Sequence, residues 1–413
     1  MDLFERRLQN LGPLATEAEK AFGYYTFPKL TGEIGPRMKF QGDEKIVWSI
    51  NSYLGLANHP EVRKADTEIA AKWGFSYPMG SRIMSGHTDQ HEQLERELAA
   101  AVNKKAAYLL NFGYQGIMSI IDCMLDRHDV LVYDAEGHAC IVDGARLHAG
   151  KRFAYRFNDM ESFEKNLERA AKITEKTGGG ILVVTEGVFG MRGVQGKLKE
   201  MVALKEKYDF TLLVDDAHGF GAMGPTGGGT DELQGCQDGV DLYFSTFAKS
   251  MAGIGAFIAT NNPQMIEYLR YNMRSQAFAK TLPMVYVEGT LKRLHLMQQH
   301  PELREKLWEN VHKLQNGLME RGLDIGYCDT PVTPVYLKAS PVEAANLIGD
   351  LRENYKIFCS LVMYPVIPKG MLLLRLIPTA AHTDAEIYPT LDALEAVANK
   401  LKAGKYDTEL VAG

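Results

Sequence analysis

An alternation dominates this chain. Between residues 59 and 290, short apolar runs recur at 106–110, 130–133, 181–185, 211–214, 242–245 and 256–259. Longer amphipathic stretches, such as 91–102 and 162–174, separate several of them. Continuous apolar runs suit strands buried on both faces, and strands alternating with helices imply crossover connections. The pattern predicts an α/β fold with a mostly parallel central sheet and helices on both faces. In such sheets, ligands bind beyond the carboxyl ends of the strands. His138, Glu186, Asp215 and Lys249 all follow apolar runs in that position.

The rest of the chain reads differently. Residues 1–22 place Leu3, Phe4, Leu8 and Leu11 among charges, a helical spacing, and residues 23–58 are rich in glycine, proline and aromatics. Together 1–58 read as an N-terminal arm and 59–290 as a large domain. Residues 291–413 read as a smaller α+β domain, with helical stretches at 301–321, 341–354 and 384–401 and short strands around 332–337 and 371–376.

Composition narrows the function. Of 413 residues, 46% are hydrophobic and 24% charged, and the net charge is −6. These values suit a globular protein with a real core and carry no footprint of nucleic-acid binding. No apolar run approaches the roughly 20 residues of a membrane span. The opening Met-Asp-Leu-Phe-Glu-Arg-Arg-Leu mixes charges around no apolar core, unlike a signal peptide. The five cysteines, at 123, 140, 236, 328 and 359, form no Cys-x-x-Cys pair and no zinc spacing. The expectation is a soluble cytoplasmic protein with reduced thiols, with peripheral membrane contact left open.

Lys249 sits on a small-residue loop, Ser245-Thr246-Phe247-Ala248-Lys249-Ser250-Met251-Ala252-Gly253-Ile254-Gly255, downstream of Asp215-Asp216-Ala217-His218-Gly219. Alone, the two are an ordinary surface lysine and a strand-end aspartate. Together they fit an aldehyde cofactor, which needs an amine to hold it as a Schiff base and a carboxylate to keep its pyridine nitrogen protonated. Metal ligation by His138, Asp215 and His218 is the competing reading, and it leaves Lys249 and Arg375 unexplained. Asn111-Phe112-Gly113-Tyr114-Gln115-Gly116 follows one apolar run and precedes another, where a helix N-terminus offers backbone donors to a phosphate. Arg375, in Leu373-Leu374-Arg375-Leu376, suits a carboxylate fork or a surface ion pair.

These motifs, from Asn51-Ser52-Tyr53-Leu54-Gly55 to Ala380-Ala381-His382-Thr383, resemble the α-oxoamine synthases, pyridoxal-phosphate enzymes of fold type I. Residues 23–54 and the phrase from Asp134 to Gly144 look most like the soluble bacterial serine palmitoyltransferase branch. The resemblance implies pyridoxal 5'-phosphate held on Lys249, with Asp215 at the pyridine nitrogen, His218 at the ring's 3-hydroxyl and His138 stacked on the ring. It implies Gly113, Tyr114 and Thr246 at the phosphate, joined by Thr281 from across a homodimer boundary. It implies Arg375 and Asn51 at the substrate carboxylate. The reaction so implied condenses L-serine with palmitoyl-CoA, a long-chain acyl-CoA, to 3-ketosphinganine, CoA and CO2. The same chemistry on glycine with acetyl-CoA, alanine with a pimeloyl thioester, or cysteate with a long acyl chain stays open. A non-catalytic dimer partner is a further alternative, which the intact Lys249 opposes. Gly190 departs from a frequent family serine, His87 from a threonine, and Ala252 and Ala256 from glycines.

Overall fold

The computed structural model describes residues 2–12 and 22–407. Residues 13–21 of the expected N-terminal helical stretch lie outside the described residues. A helix spans Leu3–Leu8, capped by Asp2, whose side chain accepts from the Glu5 N–H. Three strands follow: β1 (Leu30–Thr31), β2 (Arg37–Phe40) and β3 (Asp43–Val47), joined as an antiparallel meander. The chain divides into two compact units. One is Asn51–Leu307; the other combines the described residues up to Ile50 with those from Trp308 onward.

The larger unit carries the predicted sheet. Its strands are β4 (Ala106–Leu110), β5 (Val130–Asp134), β6 (Lys151–Tyr155), β7 (Ile181–Glu186), a small hairpin of β8 (Val188–Phe189) and β9 (Val194–Gln195), then β10 (Thr211–Asp215), β11 (Leu242–Thr246) and β12 (Ala256–Thr260). Seven of them form one sheet in the order β4-β12-β11-β10-β7-β5-β6. Strand β12 runs antiparallel to both neighbours, and the remaining pairings are parallel. Alternate residues point to opposite faces of a strand. Leu131, Leu182, Leu213 and Phe244 pack with Ile117, Ile120, Ile141 and Ile266 from three helices. The intervening Val132, Val183, Val214 and Tyr243 are buried as well, so the other face is also covered. This double burial is why the strands read as unbroken apolar runs.

Each expected strand that leads into the site runs one residue further than its apolar run. Asp134, Glu186, Asp215 and Thr246 are therefore the last strand residues of β5, β7, β10 and β11. In register, Asp215 pairs with Glu186 on one side and with Phe244 on the other. The parallel ladder thus brings two carboxylates to neighbouring strand ends.

The other unit is built from both ends of the chain. Strands β13 (Thr333–Tyr336), β15 (Ser360–Val362) and β16 (Leu373–Leu376) form a three-stranded sheet, and β14 (Ile357–Phe358) pairs in parallel with β3. The boundaries expected at residues 58 and 290 shift accordingly, and residues 22–50 are no separate arm. The physical reason is their burial. Ile46 and Trp48 pack with Leu314, Leu347, Leu374 and Leu391, and the Trp48 indole N–H donates to Thr390 Oγ1 at 2.9 Å. Lys45, 1% exposed, donates to the Arg352 carbonyl at 2.7 Å. No helix among the described residues is long and apolar enough to cross a membrane.

Candidate active site

The carboxyl ends of β5, β7, β10 and β11 converge on one electrostatic centre. Asp215 is buried at the end of β10, where the Ala217 N–H donates to its Oδ1 at 3.1 Å. Burial raises its pKa to about 6, against the opposing pull of the Lys249 charge. That same charge also acts on Glu186, His138 and Cys140. Coulomb interactions fade with distance and screening, so one lysine acting on four such groups marks a common centre.

The loop carrying Lys249 is closed by its own bonds. The Thr246 hydroxyl donates to the Gly255 carbonyl at 3.0 Å, and the Phe247 N–H reaches the same carbonyl at 2.9 Å. The Ala252 N–H donates back to the Lys249 carbonyl at 2.9 Å, with Ala252 at a φ of 45°. That left-handed conformation suits glycine better than it suits alanine. Next to Asp215, Asp216 has a different task. It accepts from the Thr230 N–H and hydroxyl, each at 2.7 Å, and from the Tyr243 hydroxyl at 3.0 Å, and so ties down the turn that carries His218.

His218 is wedged between two neighbours. The Tyr53 hydroxyl lies 2.7 Å from its Nδ1, and a Cβ added at Gly190 would stand 2.2 Å from its Nε2. The imidazole fills the space that a side chain at position 190 would need. His138 caps the helix Ala139–Leu147, accepting from the Cys140 N–H, while its own backbone N–H donates to Glu186 Oε1 at 2.6 Å. Burial, and secondarily the Lys249 charge, hold the His138 pKa below its ordinary value. The Tyr114 ring meets His138 edge-on at 5.9 Å, and the Tyr114 hydroxyl donates to Asp143.

At the neighbouring strand end, the helix Gly113–Met124 begins beside Thr246. A Cβ on Gly113 would lie 3.0 Å from Thr246 Oγ1, so a larger residue would press the hydroxyl away from the helix N-terminus. Thr281 is buried, with its N–H on the Gly80 carbonyl at 2.9 Å and its hydroxyl 3.1 Å from His91 Nε2. Asn51 is half-buried two residues before Tyr53. Arg375 is buried on β16 of the other unit, between β13 and β15.

Three residues of this centre carried no assigned role in the sequence reading. Tyr53 stands inside the Asn-x-Tyr-Leu-Gly motif, Glu186 follows an apolar run, and Cys140 sits two residues past His138. Their positions were visible, but their partners emerge only in three dimensions.

The residues present fit pyridoxal 5'-phosphate. A buried acid poised by burial suits a pyridinium partner. A lysine stands within its field, an imidazole flanks it, and Gly113 leaves a cradle at a helix N-terminus beside a hydroxyl for a phosphate.

Comparison with known proteins gives the family. The family "Aminotransferase class I and II" matches residues 43–394. The chain is 64% identical over 405 residues to a cysteate-C-fatty acyltransferase of Capnocytophaga ochracea, covering 98% of this chain and 96% of that protein. It is 33% identical over 382 residues to a serine palmitoyltransferase of Sphingobacterium spiritivorum, covering 92% and 94%. A serine palmitoyltransferase from S. paucimobilis, solved with PLP and myriocin bound, superposes with a TM-score of 0.89 at 29% identity, over 98% of this chain and 100% of that one. The chain belongs to the class I and II aminotransferase family and, within it, to the α-oxoamine synthases. Its identity to the cysteate-C-fatty acyltransferase, 64%, exceeds its identity to the serine palmitoyltransferase, 33%.

Proposed function

We propose that this chain is a pyridoxal-phosphate-dependent acyltransferase that condenses L-cysteate with a long-chain fatty acyl-CoA. The products are a 2-amino-3-oxoalkane-1-sulfonate, CoA and CO2. The observation that carries the choice of amino acid is the 64% identity to the cysteate-C-fatty acyltransferase, against 33% to the serine palmitoyltransferase. Serine with palmitoyl-CoA, the first expectation from sequence, becomes the second reading.

When bound, the cofactor supplies an aldehyde that links to amines and a pyridinium ring that draws electrons from the amino acid's Cα. Lys249 Nζ would hold that aldehyde, and its free amine would serve as the base for the Cα proton. Asp215, ionised beside a cation, keeps the pyridine nitrogen protonated. His218, steadied by Tyr53, donates to the ring hydroxyl. The Gly113–Met124 helix start and Thr246 would hold the phosphate, with Thr281 contributed by the partner in a homodimer. His138 and Asn51 would orient the substrate carboxylate, and that orientation would decide which bond at Cα is activated; Arg375 keeps the carboxylate role that the family resemblance implies.

The test is a CoA-release assay crossing L-cysteate, L-serine, glycine and L-alanine with palmitoyl-CoA and acetyl-CoA. The expected result is a kcat/KM for cysteate with palmitoyl-CoA at least about tenfold above any other pair, equivalent to about 1.4 kcal/mol of discrimination. A serine value equal to or above the cysteate value would return the serine reading to first place.

A further inference from the structure

His138 is approached on one side by a single residue, Cys140, through two of its atoms. The Cys140 backbone N–H lies 3.3 Å from His138 Nδ1, and the Cys140 Sγ lies 2.9 Å from the same nitrogen. A backbone N–H can only donate. Nδ1 must therefore present its lone pair, and a neutral ring then carries its proton on Nε2. The thiol is buried and is held in its protonated form. It has one proton to give, and its two acceptors are Nδ1 and Asp215 Oδ2, the latter at 4.0 Å.

We propose that Cys140 is a positioning residue: its backbone N–H and thiol fix His138 as the Nε2–H tautomer, which makes the open edge of the imidazole a hydrogen-bond donor toward substrate. That this donor meets an amino-acid carboxylate rests on the function proposed above; the tautomer does not. Glu186 anchors the arrangement by accepting the His138 backbone N–H at 2.6 Å, so the ring stands on a fixed turn. The groups facing the ring are Cys140, the edge of Tyr114 and the charge of Lys249, with Asp215 beyond the thiol and Glu186 on the backbone N–H. Protonating Nδ1 would set two donors against each other, so this environment favours the neutral ring. The sequence carried the signal as His138-Ala139-Cys140, where the thiol read as one of five scattered cysteines.

The test uses apoprotein with 15N-labelled histidine rings, the His138 signals being those lost in His138→Gln. The wild type should show a bare Nδ1 and a protonated Nε2 at neutral pH. Cys140→Ala removes the thiol donor but keeps the backbone one, and the ring pKa should rise by about half a unit to one unit, the worth of one hydrogen bond. Cys140→Ser should restore the wild-type titration. In the holoenzyme, the acid limb of the kcat/KM profile should move to higher pH in Cys140→Ala and return in Cys140→Ser. A wild-type proton on Nδ1, or an alanine variant that titrates like the wild type, overturns the proposal. Wild-type nitrogen signals as expected, combined with no condensation from any substrate pair, would instead overturn only the proposed reaction.

Discussion

The Tyr53 hydroxyl sits 2.7 Å from Nδ1 of His218, joining the Asn-x-Tyr-Leu-Gly motif to the Asp-x-x-His turn across 165 residues of sequence. Both groups are buried, so the bond is shielded from competing water. It fixes the imidazole expected to serve the cofactor's ring hydroxyl. Tyr53→Phe should lower kcat about tenfold, the worth of one buried hydrogen bond of about 1.4 kcal/mol, with a smaller effect on KM. Steady-state kinetics and the cofactor absorbance spectrum check this; unchanged kcat and spectrum would show that His218 needs no such support.

Gly190 is the other wall of the same ring. Because an added Cβ would stand 2.2 Å from His218 Nε2, Gly190→Ala forces the imidazole to move. Cofactor affinity, followed by fluorescence on titration of the apoprotein, should weaken, and Gly190→Ser should weaken it at least as much. Wild-type affinity in both variants would mean that His218 swings aside freely.

Glu186 is buried beside Asp215, and desolvation together with the Asp215 charge holds its pKa well above the usual carboxylate range. Its surroundings thus favour the neutral form. Glu186→Gln keeps that neutrality and the acceptor for the His138 N–H, so activity should stay within about threefold of wild type. Glu186→Ala leaves a buried N–H unpaired and should lose at least about tenfold. A glutamine variant as damaged as the alanine variant would show that the negative charge matters after all.

Asp215 links pH to cofactor binding. Its folded-state pKa, about 6, lies above the ordinary 3.8, so in the apoprotein its proton contributes stability fully below pH 3.8. That contribution is lost as pH rises through about 6. A bound pyridinium reverses the penalty on the ionised form. The gap in Tm between holo and apo protein should therefore widen from pH 4 to pH 7. Asp216 and Asp231, raised to about 6 and about 7, titrate in both forms and cancel in the difference. In Asp215→Asn the gap should stay flat; a gap that widens equally there would assign the effect to another group.

Much of this architecture is legible in the sequence because double-sided burial writes it as unbroken apolar runs. Strands β4, β7 and β10 are of this kind, and the polar residues that end them stand out by contrast. Strand β6, at one edge of the sheet, escapes because its faces are not both covered. Its Lys151 and Arg152 face solvent, so Lys151–Tyr155 shows no apolar run. Residues 22–50 read as an arm because β3 finds its partner in β14, more than 300 residues away, and no local pattern encodes a pairing at that range. Within the candidate site, Lys249, Asp215 and His218 stand out in the sequence because chemistry restricts the residue types at those spacings. Tyr53, Glu186 and Cys140 act by touching those residues, and such contacts have no spacing signature.

The account stands on a covalent link between Lys249 and pyridoxal phosphate. Borohydride reduction of the holoprotein, followed by proteolysis and mass spectrometry of the peptides, tests it directly. The pyridoxyl adduct should appear on the peptide that contains Lys249 and be absent in Lys249→Ala. An adduct confined to another lysine, or none on a cofactor-saturated protein, would contradict the account.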